Sequence, residues 1–171
     1  MFEKFYPTIY VNSVYDMDFQ KLFDEGYRGF MADVDNTLVR HDAPHDEEAV
    51  AFFDRIKKIG FKTCIVSNNT EERVKTFAEG VGSDYVFLAG KPDKKGYLEA
   101  MKKMGTTREN SFFAGDQLFT DIYGANNAKV KSVLVRPIDK DPIFNIKLKR
   151  VGEAIVKPFY KRYARKHPAD L

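Results

Sequence analysis

The chain has 171 residues, 43% hydrophobic and 31% charged, with a formal net charge of +3. These proportions fit a single soluble globular domain with an ordinary core and exclude a disordered, collagen-like or coiled-coil chain. No apolar run approaches the ~18 residues of a membrane-spanning helix, and the lone cysteine, Cys64, has no partner for an internal disulfide.

From the N-terminus, residues 1–13 carry Glu3, Lys4 and Pro7 among their apolar positions and lack the continuous stretch of a signal peptide. With the single cysteine, this predicts a reducing, cytoplasmic setting. A short helix is expected over 18–23, ending before Gly26. Five short apolar runs then follow, each ahead of a turn or a helix start: Gly29–Ala32, 63–66, 85–88, 111–114 and 132–135. Brief runs rich in Phe, Val and Ile suit buried parallel strands. Between them lie helical patterns at Glu47–Ile59, closed by Gly60, at 71–78 with Thr70 as a candidate N-cap, at Lys95–Met104, closed by Gly105, and at 121–128. Alternating strands and helices predict an α/β, three-layer, Rossmann-like core around a five-stranded parallel sheet. In such sheets, sites form at the carboxyl ends of strands.

Those ends carry a consistent chemistry. The first predicted strand runs into Asp33-Val34-Asp35-Asn36-Thr37, and side chains two apart on an extended chain share a face, so Asp33 and Asp35 should converge. Two close carboxylates repel unless a cation or shared proton relieves them. The second strand ends in Ser67-Asn68-Asn69-Thr70, offering hydroxyl and amide donors, and the third leads to Gly90-Lys91-Pro92. The fourth ends in Gly115-Asp116, with Asp121 five residues on. Carboxylates with water and a phosphate suit Mg²⁺. An Asp carboxylate can attack phosphorus, and a lysine with nearby donors can hold the developing charge. Taken singly, Asp33 and Asp35 read equally well as turn residues, Ser67 as a cap, Lys91 as a surface lysine and Asp121 as a helix-start acid. Acid pair, hydroxyl, lysine and acid at four successive strand ends favour the joint reading.

These residues, quoted in order, resemble the haloacid dehalogenase superfamily of phosphatases over about residues 27–137. The resemblance implies Asp33 as nucleophile and Asp35 as general acid and base. It implies that Ser67 binds the phosphoryl group, with Thr37 and Asn68 also in substrate binding, and that Lys91 steadies nucleophile and phosphoryl charge. Mg²⁺ would be held by Asp33, the backbone carbonyl of Asp35, and Asp116, with Asp121 supporting the metal shell. The intervals from Thr37 to Ser67 and from Ser67 to Lys91 leave no room for a separate cap domain, which implies an open site suited to bulky phosphate substrates. More narrowly, Asp-Val-Asp-Asn-Thr-Leu with Gly-Asp-Gln-Leu-Phe-Thr-Asp resembles the bacterial YqeG-type subfamily, whose relatives include mitochondrial phosphatases acting on phosphatidylglycerophosphate. Two alternatives stand beside an enzyme. One is a binding or scaffold protein that keeps the fold. The other is a receiver domain, whose phosphoacceptor should follow strand three, where this chain reads Leu88-Ala89-Gly90-Lys91.

The division expected is a core over 1–146 and a tail over 147–171. The tail has eight basic residues against Glu153 and Asp170, a net of +6, which leaves the core at −3. Leu148, Val151, Ile155, Phe159 and Tyr163 recur every three or four residues, with Pro158 as a break. Two readings stay open: a basic amphipathic helix on an anionic membrane surface, peripheral to its inner face, or a terminal helix docking that stripe on the core. The tail's distance in sequence from the acids predicts that its removal spares hydrolysis of a soluble phosphate. No nucleic-acid module is recognisable, and the pattern does not fix an oligomeric state.

Overall fold

The computed structural model describes residues 2–140, 144–169 and 171. Six parallel strands make one sheet: β1 (Ile9–Val11), β2 (Gly29–Ala32), β3 (Lys62–Val66), β4 (Asp84–Val86), β5 (Ser111–Gly115) and β6 (Lys131–Val135), in the order β1-β6-β5-β2-β3-β4. The five-stranded expectation is corrected by β1, which pairs with β6 at one edge, Ile9 opposite Val133 and Val11 opposite Val135. Three residues are too few for an alternating pattern to declare itself.

Alternation along the central strands sends side chains to two cores. Phe30, Ile65 and Phe112 face α1 (Phe19–Asp24), α2 (Glu47–Ile59) and α3 (Glu71–Val81), joining Phe19, Phe52, Phe53 and Phe77. Met31, Cys64 and Phe113 face the other way, onto Tyr97 and Met101 of α4 (Lys95–Met104) and Ala125 of α5 (Tyr123–Asn127). Each fully buried Phe contributes roughly 1.5–3 kcal/mol by leaving water. The helices start where the chain supplies acceptors: Asp18 accepts from Lys21 N at 2.9 Å, and Asp46 from Ala49 N at 2.8 Å. Thr70 sits at the N-cap of α3 but makes no side-chain cap bond.

The helix expected over 121–128 begins instead as a π-helical turn, Leu118–Ile122, which leads into α5. Asp121 packs directly on Gly115, where any Cβ would stand 2.5 Å from that of Asp121. This close approach needs glycine at the end of β5.

The chain ends in α6 (Phe144–Lys166), which runs through the boundary expected at 146/147. It docks through Val156 and Tyr160 on Leu118, Ile122, Leu134 and Tyr6, with the Tyr6 and Tyr160 rings 5.6 Å apart. Gly152 lets it close on Phe119, whose ring would lie 2.8 Å from an added Cβ. The predicted stripe meets the docking face only at its C-terminal end, where the rings of Phe159 and Tyr163 stand 5.4 and 5.1 Å from those of Phe2 and Tyr6. Val151, Ile155 and Phe159 remain 63%, 59% and 51% exposed, while Glu153 is fully buried. Leu148 lies outside the described side chains. No helix among the described residues is long and apolar enough to cross a membrane.

Candidate active site

β2 lies between β3 and β5, although β5 comes three strands later in the chain. The carboxyl ends of β2 and β5 are therefore neighbours, which places Asp33 beside Asp116. The Asp33 N–H donates to Ala114 O at 3.0 Å, extending the ladder by one residue. The chain then turns sharply. Asn36 takes a left-handed φ of 59°, which Asn tolerates better than most residues, and its N–H donates to Val39 O at 2.7 Å.

Lys91 is delivered by a two-way clasp. Its N–H donates to Asn68 Oδ1 at 2.7 Å, and Asn68 Nδ2 donates to Lys91 O at 2.9 Å. The ammonium is buried between two carboxylates, 2.7 Å from Asp121 Oδ1 and 3.1 Å from Asp33 Oδ2. Burial alone would lower its pKa. Asp121 and Asp33 outweigh that, and it stands above the ordinary lysine value. The second oxygen of Asp121 accepts from Gln117 N at 3.0 Å, so both of its oxygens are engaged. Beneath it, Tyr97 donates to Asp121 O at 2.9 Å, and burial, then the Asp121 charge, push the phenol's pKa up.

The other two acids differ. Burial raises the Asp33 carboxyl to about 6, with Lys91 pulling back and Asp121 and Asp35 adding to the rise. Burial, then Asp121, hold Asp116 well above the usual carboxylate range, against the opposing pull of Arg150. Asp33 Oδ1 and Asp116 Oδ1 are both buried without a hydrogen-bond partner. Ligand oxygens of Asp33, Asp116 and Asp121 lie within 4.8 Å of one another. Hard oxygen donors at this spacing, with two lone acceptors among them, fit a divalent cation.

Asp35 shares the cavity with Asp33, but the repulsion expected between them is relieved by a group outside the predicted set. Arg73 Nη2 from α3 lies 3.0 Å from Asp35 Oδ1, and the N–H of Asp42 donates to the same oxygen at 2.9 Å. Asn69 Nδ2 reaches the other oxygen at 3.4 Å.

A cavity of about 300 Å³ opens over these groups and is lined by Asp33, Asp35, Ser67, Asn68 and Lys91 of the predicted set. Thr37, expected in substrate binding, is buried with Oγ1 unpaired and does not line it. Asn68 lines it, but its amide is already taken by the Lys91 main chain. His41, Asn69, Gln117, Thr120 and Lys149 line it unpredicted. Lys149 donates to Thr120 Oγ1 at 3.1 Å, and its neighbour Arg150 pairs with the Asp116 carboxylate. Distance in sequence therefore does not keep the tail from the acid cluster, because α6 folds back to place two cations there. The segment after β4 brings no carboxylate before Lys91, which removes the basis for a receiver domain. No separate cap is folded among the described residues between Thr37 and Lys91.

The profile of the haloacid dehalogenase-like hydrolases matches residues 14–129. The chain is 34% identical over 164 residues to "Probable phosphatase YqeG" of Bacillus subtilis (strain 168), covering 95% of each. Among solved structures, an uncharacterized protein of Listeria monocytogenes serotype 4b superposes with a TM-score of 0.53 at 17% identity, over 68% of this chain and 84% of that one. The cobalt-bound deoxy-D-mannose-octulosonate 8-phosphate phosphatase of Haemophilus influenzae gives a TM-score of 0.50 at 19% identity, over 68% and 81%. At those identities the two structures show a shared fold.

Proposed function

The chain belongs to the haloacid dehalogenase-like hydrolases, and on that premise we propose that it is a Mg²⁺-dependent phosphomonoesterase working through an aspartyl-phosphate on Asp33. The observation that carries this reading is the pair of buried, unpartnered oxygens on Asp33 and Asp116, set beside a lysine that neutralises Asp33 from its other side. Asp33 and Asp116, with the backbone carbonyl of Asp35, would hold the cation, which supplies charge stabilisation to the transferring phosphoryl group.

In the first half-reaction an Asp33 oxygen attacks phosphorus, the ester P–O bond breaks, and the leaving oxygen takes a proton from Asp35. In the second, Asp35 takes a proton from water, the water oxygen attacks phosphorus, and the Asp33–phosphorus bond breaks to release phosphate. Lys91 balances the charge on Asp33 before attack and that on the phosphoryl group once the acyl phosphate has formed, and the Ser67 hydroxyl and Asn69 amide line the place the phosphoryl oxygens would occupy. Arg73 holds the Asp35 carboxylate in register with the cavity.

The substrate class that suits an uncapped cavity is a phosphate carried on a bulky or surface-bound group. Phosphatidylglycerophosphate, which the sequence resemblance implies, is one. The partner we propose is an anionic lipid surface at the outward face of α6. There, Val151, Ile155 and Phe159 stand exposed beside Lys161, Arg162, Arg165 and Lys166. Turnover of an aryl phosphate tests the central reading: it should stop with EDTA and return with Mg²⁺. Turnover indifferent to chelation would refute it.

A further inference from the structure

Asp33 and Asp116 divide their oxygens in the same way. Asp33 gives Oδ2 to Lys91 at 3.1 Å and keeps Oδ1 unpartnered. Asp116 gives Oδ2 to Arg150 Nη2 and likewise keeps Oδ1 unpartnered. Lys91 belongs to the set read from the strand ends. Arg150 comes from α6, 34 residues beyond its partner.

Its grip is more than a charge contact. While Nη2 holds the carboxylate, Nη1 donates to the backbone O of the same residue at 2.6 Å. A planar guanidinium bridging a carboxylate and its own main chain fixes the side-chain torsions between them, which a lysine's point charge cannot do. The guanidinium is fixed in turn by Glu153, whose two oxygens accept from Nη1 at 3.2 and 3.1 Å. Glu153 is fully buried and anchored from two further sides, by Leu118 N at 2.9 Å and Lys157 Nζ at 3.2 Å. The Leu118 bond ties it to the turn that follows Asp116.

We infer that Arg150, aligned by Glu153, is a positioning residue that sets Asp116 with Oδ1 free for the cation, so that the C-terminal helix completes the metal site. The inference rests on reading the acid cluster as a divalent-cation centre. Without the guanidinium, Asp116 is free to turn away from Asp33 and Asp121, whose charges repel it.

The test is direct binding of Mn²⁺ to the full chain, followed by the resonance of the free ion, for wild type, R150M, R150K and E153Q, with thermal unfolding as a check on folding. Outer-shell partners of metal ligands typically carry 10–100-fold in affinity. R150M should weaken Mn²⁺ binding by about tenfold or more, R150K should recover part of the loss, and E153Q should fall between R150K and wild type. A folded R150M that binds Mn²⁺ as tightly as wild type, or more tightly, overturns the inference, the second result marking Arg150 as a competitor of the cation. If R150M fails to fold, unchanged affinity in both R150K and E153Q overturns it equally. Wild type that binds no Mn²⁺ sinks the cation centre itself and this inference with it, an outcome distinct from equal binding by wild type and variant.

Discussion

Lys91 and Asp121 form a buried ion pair, Nζ to Oδ1 at 2.7 Å, with almost no solvent contact on either side chain. The pair stands between the cavity floor and the turn after β5, so it links the strand ends that carry Asp33 and Asp116. Removing one partner of such a pair leaves an uncompensated charge in the interior, which costs far more than the intact pair contributes.

Lys91→Met should therefore abolish turnover and also destabilise the fold by about 3 kcal/mol, because Asp33 and Asp121 lose their shared counter-charge. Urea unfolding at pH 7 reads this directly. A midpoint equal to wild type would show that the lysine is catalytic equipment with no structural share.

Asp33→Asn should be inactive yet more stable at neutral pH. Burial raises the folded-state carboxyl to about 6, against 3.8 for an ordinary aspartate. A raised carboxyl favours the fold while protonated, so that contribution is fully present below 3.8 and is lost as pH rises through about 6. The amide escapes that loss. The variant should gain about 3 kcal/mol at pH 7.5, and the gain should shrink to nothing by about pH 3. A gain that grew on acidification would contradict the sign.

The strand-end residues were legible because each follows a short apolar run, and position after a strand fixes where such a side chain goes. Arg73 and Arg150 were not. Their partners, Asp35 and Asp116, lie 38 and 34 residues away, and nothing local distinguishes either arginine from a solvated one. Periodicity also misjudged α6. It selects faces by apolarity and sends Glu153 to solvent, whereas a buried network of Arg150, Lys157 and Leu118 N satisfies that carboxylate. The docking face is polar at one end and aromatic at the other, where Phe159 and Tyr163 touch Phe2 and Tyr6, and Val151 and Ile155 of the apolar stripe are left outside.

Removing residues after Asn145 should now cost more than a tail. It deletes Lys149 and Arg150 and uncovers Leu118, Ile122 and Leu134. Hydrolysis of a soluble aryl phosphate should fall at least about tenfold, with a lower melting temperature. Full activity in the truncated chain would detach α6 from the site.

The outward stripe makes a separate prediction. Ile155→Ser with Phe159→Ser should lose co-sedimentation with anionic vesicles at low salt, since apolar insertion and basic attraction act together and the latter fades beyond ~8 Å at physiological salt. Neutral vesicles should pellet neither protein. Equal pelleting of the double variant and wild type on anionic vesicles would exclude the stripe as the contact.

The covalent step on Asp33 defines the reaction. Acid quenching during turnover, then borohydride reduction and peptide mass spectrometry, converts an acyl phosphate to the corresponding alcohol at the residue that carried it. The prediction is homoserine at position 33 in wild type with a phosphate substrate and Mg²⁺, and none without substrate. Reduction at another carboxylate, or turnover with no reducible residue at all, would contradict it.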